Sequence, residues 1–205
     1  INVNVKGINP IANFLANAAC QGDKIFYSDL STVPKPDSIV SWSWNFGDGG
    51  GATVQNPSHS YTLGGTYNTT LTVVSDSGCI ATVKKTDTVY AKPNADFTVF
   101  SSPACTGAIT QFMDASTVSN GSLISWNWDF ADGSAISILK NPVHTYMSAA
   151  TYTVQLSISS SLGCKNSIVL PVVVAQSPTA LFSADTVCNH SPTSFADKSV
   201  GTITV

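Results

Sequence analysis

Charge is what this sequence has least of. Lysine and arginine together number 9 and aspartate and glutamate 12, so charged residues are 10% of the 205, against about a quarter in an ordinary soluble domain. The net charge is -3 and no basic cluster interrupts the chain, which excludes nucleic acid and anionic membrane as electrostatic partners. No apolar run approaches the roughly eighteen residues of a membrane span, so no membrane insertion is expected. A sustained 3.6-residue period is missing, and with it any amphipathic helix. There is no P-loop, paired-carboxylate or Ser-His-Asp pattern, so no catalytic residues and no enzyme are expected. No signal peptide is visible, and the chain reads as a mature or internal fragment. In place of charge stand Ser, Thr and Asn, beside 43% hydrophobic residues. Such a composition supports a core under a polar, weakly charged surface, as suits an extracellular, cell-surface protein.

The sequence repeats itself, which decides the domain organisation. "NPSHSY" at Asn56 returns as "NPVHTY" at Asn141, and "SWSWNFGDGG" at Ser41 as "SWNWDFADGS" at Ser125. Cys20 is matched by Cys105 and Cys188, Cys79 by Cys164, and Trp44 by Trp128. Residues 10–93 and 94–178 form two complete modules. Residues 1–9, with "INVNV", align with the last strand of a preceding module. Residues 179–205 begin a further, truncated one, too short to bury a core alone.

Alternation of apolar and polar residues runs through both modules. Tyr67, Thr69, Leu71 and Val73 share one face of a strand; Tyr152, Val154, Leu156 and Ile158 share that of its twin. Val, Thr, Ile and Tyr dominate, with turn residues every 8–12 positions, the pattern of an all-β sandwich. "SDSG" at 75–78 and "SSLG" at 160–163 read as hairpin turns. Trp42, Trp44 and Phe46 share a face, as do Ile124, Trp126, Trp128 and Phe130. We expect Trp44, Phe46, Trp128 and Phe130 in the core, with Trp42 and Trp126 nearer the rim.

These motifs, W-[ND]-F-[GA]-D-G, N-P-x-H-x-Y and [GA]-T-Y-x-x-x-L, occur in order twice. The chain thereby resembles the PKD family of immunoglobulin-like sandwiches. Asn45 departs from the usual Asp and Ala131 from the usual Gly. Tandem modules with paired cysteines are similar to those of very long adhesins of gliding Bacteroidetes, the SprB type, exported by the type IX system. The resemblance implies tandem immunoglobulin-like (PKD) sandwiches arranged as an elongated rod. Its partners would be neighbouring modules, the export and gliding machinery, and a surface ligand at a distant tip.

No cofactor is expected. Calcium is the one metal the resemblance suggests, because some PKD modules of secreted collagenases bind it; the candidates are Asn45, Asp48, Asp129 and Asp132. A calcium site needs six to eight oxygens, and these loops offer few. The competing reading is that the aspartates bond backbone N–H groups in tight turns. His59 and His144 recur without a partner at metal spacing and read as packed strand residues. "DSI" and two "DTV" stretches match the short Bacteroidetes O-glycosylation pattern at Ser38, Thr88 and Thr186. The sequons at Asn68, Asn120 and Asn189 read as chance.

Five cysteines in a surface array suggest disulfides. In a seven-strand sandwich the loop holding Cys20 or Cys105 lies at the pole where the chain leaves. The turn holding Cys79 or Cys164 lies at the opposite pole, roughly 25 Å away across a strand. A disulfide needs Cα atoms within about 7 Å. This favours an inter-module Cys20–Cys164 bridge. The alternatives are Cys20–Cys79 with Cys105–Cys164, or free thiols.

The joints "YAKPNADF" and "VAQSPTALF" are short and carry proline, which stiffens them. Each module would add roughly 35–45 Å to the rod. The expected function is a semi-rigid, tension-bearing stalk of a surface filament or adhesin, serving adhesion or gliding. The alternative is a carbohydrate- or protein-binding accessory module of a secreted hydrolase. Exposed aromatics would favour that alternative, the candidates being Tyr27, Tyr90 and Phe100.

Overall fold

The computed structural model describes residues 7–100 and 104–201; the strand expected at Ile1–Val5 lies outside them. All strand and helix structure among the described residues is β, and among them no helix is long and apolar enough to cross a membrane. Contacts gather the chain into two compact units. The first extends through Pro93 and takes in two short segments of the second repeat, Val118–Leu123 and Ser160–Lys165. The second holds Asn94–Thr117, Ile124–Ser159 and the residues from Asn166 onward.

The first repeat has eight strands: β1 (Phe14–Ala16), β2 (Ala19–Cys20), β3 (Lys24–Asp29), β4 (Ile39–Asn45), β5 (Gly51–Ala52), β6 (Ser58–Ser60), β7 (Gly65–Ser75) and β8 (Ile80–Tyr90). They form two sheets, ordered β1-β3-β6 and β2-β8-β7-β4-β5. The long hairpin β7–β8 pairs from Gly65↔Val89 to Val74↔Ile80. Its turn closes where Gly78 takes a φ of 83°, the left-handed position that suits glycine. Alternation does what it implies: Thr69, Leu71 and Val73 are buried on β7, and Tyr67 is half-buried.

The core between the sheets is aromatic. Phe14 meets the Trp44 ring edge-on at 5.2 Å, and Tyr27 lies 5.1 Å from Phe46. Trp44 is tied down by Nε1 donating to the Val54 carbonyl at 3.0 Å. Each such ring contributes roughly 1.5–3 kcal/mol on burial.

The second repeat follows with β9 (Phe97–Phe100), β10 (Ala104–Cys105), β11 (Ile109–Asp114), β12 (Leu123–Asp129), β13 (Val143–Thr145), β14 (Ala150–Ser160) and β15 (Lys165–Ala175). The sheets are β13-β11-β9 and β10-β15-β14-β12. Where the first repeat has β5, the second has a single bridge, Trp128↔Ser137. Phe97 meets Trp128 at 5.1 Å and Phe112 meets Phe130 at 5.1 Å, reproducing the first core. β16 (Phe182–Ala184) and β17 (Phe195–Asp197) pair with each other in the tail.

One expected face is corrected. Ile124 is 61% exposed, as Val40 is 56% exposed in the first repeat. There, β4 and β7 shift register between Ile39 and Ser41. A bulge adds one residue and reverses the inside–outside phase of the strand before it, so Ile39 rather than Val40 packs on the core. The burial pattern of β12 is identical to that of β4.

Candidate functional site

The loop leaving β4 is where sequence reasoning placed metal candidates. Asn45 Oδ1 accepts from the Gly47 amide at 2.9 Å, and Asp48 Oδ1 from the Gly50 amide at 2.9 Å. Asp48 Oδ2 lies 2.7 Å from His59 Nε2. The second repeat repeats each bond: Ala131 amide to Asp129 at 2.9 Å, Ser134 amide to Asp132 at 3.0 Å, and His144 Nε2 to Asp132 Oδ2 at 2.7 Å. Thus both Asp48 and Asp132 have one oxygen on a backbone amide and the other on an imidazole. Among the described residues no group of three or more His, Cys, Asp or Glu is placed to hold a metal.

The histidines are not alone. The His59 ring stacks on Phe46 at 4.3 Å and 8°, and meets Tyr61 edge-on at 4.7 Å. His144 does the same on Phe130 at 4.1 Å and Tyr146 at 4.6 Å. Each imidazole roofs a core phenylalanine and clamps the aspartate turn to β6 or β13. Burial raises the Asp48 carboxyl, but the bonds from His59 and Gly50 outweigh it and hold it below the usual carboxylate range. Asp132 is lowered likewise, with burial opposed by Ser134 and His144. The recurrence of Asp and His in both copies was the available signal for this pairing. It was missed because sequence separations of eleven and twelve residues hide it.

At the rim, Trp42 Nε1 donates to Asp29 Oδ2 at 2.7 Å, and Gln55 Nε2 donates to the same oxygen at 3.1 Å. Burial raises the Asp29 carboxyl; Ser31, Gln55 and Trp42 together pull it down further than burial lifts it. Trp42 borders an open groove with Asp29, Lys35, Asp37, Ile39 and Gln55. In the second repeat Lys140 stands in place of Gln55. Its ammonium reaches toward Asp114 at 4.0 Å and lies 5.6 Å above the Trp126 ring. Trp126 Nε1 is buried without a hydrogen-bond partner.

Tyr27 is not an exposed aromatic: it is 1% exposed, because its strand phase points it between the sheets. Its hydroxyl donates to Asp87 Oδ2 at 2.9 Å and lies 3.0 Å from the Tyr61 hydroxyl, while Thr69 Oγ1 donates to Asp87 at 2.6 Å. Burial chiefly pushes the Tyr27 and Tyr61 phenols up. Tyr90 is half-buried and Phe100 is 55% exposed. They lie on different strands, β8 and β9. Ser38, Thr88 and Thr186 are all exposed, and Ser38 Oγ donates to Asp76 at 2.9 Å.

Cys20 and Cys164 are disulfide-bonded, with Cα atoms 5.6 Å apart. Both belong to the first compact unit, through its Ser160–Lys165 segment. Cys79, Cys105 and Cys188 are free, so the structure has neither Cys20–Cys79 nor Cys105–Cys164.

The sequence profile described as "PKD domain" matches residues 8–91 and again 90–174. The chain is 29% identical over 175 residues to the pre-pro-metalloprotease PrtV of Vibrio cholerae, covering 83% of this chain and 18% of that protein. It is 38% identical over 65 residues to collagenase ColA of Bacillus cereus, covering 32% of this chain and 7% of that one. The chain thus spans less than a fifth of either relative. Among solved structures, the PKD1 domain of V. cholerae PrtV is 35% identical, with 40% of this chain and 98% of that one covered, at a TM-score of 0.37. PKD domains are non-catalytic accessory modules in such enzymes and occur in secreted proteins.

Proposed function

We infer, since the chain belongs to the PKD domain family as two members in tandem, that it is an accessory segment of a longer extracellular protein. Its task in this reading is to contact a polymeric substrate, protein before carbohydrate, while other parts of that protein do the chemistry. The observation that carries the reading is the run of 175 residues shared with a metalloprotease of which it is 18%. A shorter match to a collagenase points the same way. The groove beside Trp42 is the surface this reading uses: an indole edge flanked by Asp29, Lys35 and Gln55, with polar groups on either side of an apolar contact. Co-sedimentation with insoluble collagen and with insoluble polysaccharide tests it. Binding to the protein fibre that Trp42→Ala weakens several-fold supports the reading; no binding to either polymer overturns it.

A second reading is the stalk of a surface adhesin of the gliding type. The bond between cysteines of successive repeats favours it, as do the short proline-bearing joints, because both suit a spacer under tension. The complete reading frame separates the two. A hydrolase domain beside these repeats supports the accessory module, and dozens of further repeats with none support the stalk.

A further inference from the structure

We propose that Cys79 and Cys105 are half-cystines of two further joints, each bonded to a neighbouring PKD repeat as Cys20 is bonded to Cys164. The first-loop cysteine of each repeat would join the hairpin-turn cysteine of the repeat that follows. This rests on the tandem PKD architecture and is independent of whether the longer protein is an enzyme or an adhesin.

The two free thiols sit in backbone settings that match the bonded ones. Cys20 pairs in parallel with Tyr90, and the next amide, Gln21, donates to the Tyr90 carbonyl at 2.8 Å. Cys105 pairs in parallel with Ala175, and Thr106 donates to the Ala175 carbonyl at 2.9 Å. Cys164 accepts from the Ser160 amide at 2.8 Å, and its own amide donates to Ser160 Oγ at 3.2 Å. Cys79 accepts from the Ser75 amide at 2.9 Å, and its amide donates to Ser75 Oγ at 3.2 Å. The half-sites are therefore built alike, and one pair of them is occupied by a disulfide.

The incoming chain supplies an independent observation. Tyr90 precedes the proline of its joint by three residues, as Gly7 precedes Pro10. The Tyr90 carbonyl lies 3.8 Å from Cys164 Sγ. Gly7 likewise lies against Cys79, where a Cβ built on the glycine would stand 2.7 Å from the sulfur. Since Cys20 is in register with Tyr90, a cysteine of a preceding repeat in register with residue 7 comes to Cys79 by the same geometry. On the outgoing side, Ser177 bonds Thr106 twice, at 3.0 and 2.6 Å, which seats the next joint beside Cys105.

Each bond forms as two thiols lose two protons and two electrons to a small-molecule disulfide, which leaves as two thiols. The test is a peptide map of the full-length protein from its natural source, alkylated and digested without reduction. The expected result is a Cys20–Cys164 peptide, with Cys79 linked to a cysteine of the preceding repeat and Cys105 to one of the following repeat. Recovery of Cys79 or Cys105 alkylated before reduction overturns the proposal, as does a Cys20–Cys79 or Cys105–Cys164 peptide, or a flanking sequence without the complementary cysteine. In full-length Cys105→Ser, the following repeat's turn cysteine becomes alkylated and one linked peptide is lost, with Cys20–Cys164 intact. An unchanged map overturns it. Failure here leaves the polymer-binding reading standing, because that is read by sedimentation and not by linkage.

Discussion

The two repeats share an aromatic frame and differ in what fills one corner of it. In the first, Tyr27, Tyr61, Thr69 and Asp87 gather into a polar quartet, in which Tyr27 and Thr69 both donate to Asp87 and the Tyr61 hydroxyl lies 3.0 Å from that of Tyr27. In the second, Tyr146 remains, but Phe112, Val154 and Val172 stand at the other three positions, all buried. Tyr61 gives its proton to the Phe46 carbonyl at 2.9 Å, while Tyr146 keeps a longer bond of 3.3 Å to Phe130. The same sandwich accepts an acid with two hydroxyl donors at this corner, or three apolar side chains in their place beside a tyrosine that keeps its own carbonyl partner. The acid and its two donors are exchanged together for a physical reason: a buried polar group left without its partner retains its full desolvation cost.

The largest effect is expected from forcing the first repeat's acid into the second. Val172→Asp places a carboxylate where neither Phe112 nor Val154 offers a hydroxyl, and should cost about 3–5 kcal/mol, read by urea denaturation of the second repeat. A cost below about 1 kcal/mol would break the comparison. Next comes Asp87→Val alone, which strips a shared acceptor from Tyr27 and Thr69 and should cost about 1–3 kcal/mol. Adding Tyr27→Phe and Thr69→Val reconstructs the second repeat's corner and should recover most of that loss. Additive losses across the triple variant would show that the quartet does not act as a unit.

The smallest effect concerns what the repeats hold in common. Asp48 and Asp132 both have lowered pKa values, so their contribution to stability is present above the unfolded value, near 3.9. It is lost as pH falls through the lower folded value. Asp48→Asn and Asp132→Asn should each flatten the loss of melting temperature as the pH falls below about 4. Equal flattening is expected, since the two clamps have the same bonds.

Much of the fold was legible because a strand's period is two. Trp44, Phe46, Trp128 and Phe130 are read inward from alternation and are buried. The exceptions have separate causes. Ile124 violates its phase as Val40 does, where a bulge at Ile39/Ser41 resets the first repeat's strand. A bulge leaves no residue-type mark in the sequence. Tyr27 looked like a surface aromatic because its polar partner Asp87 is 60 residues away. Ala131 replaces the glycine of the first repeat and takes the left-handed conformation itself, with φ 61° against 82° at Gly47. That conformation costs an alanine of the order of 1 kcal/mol, which the surrounding turn bonds offset.

By itself the sequence determined the repeat, the two-sheet class, the aromatic core and the family. All of these follow from periodicity and local motif, which survive in one dimension. Only the tertiary structure decided that each His meets its Asp, that Tyr27 faces inward onto Asp87, and which two of five sulfurs lie within bonding distance. Those facts depend on residues far apart in the chain meeting across sheets, and strand pairing rather than residue identity sets where they meet.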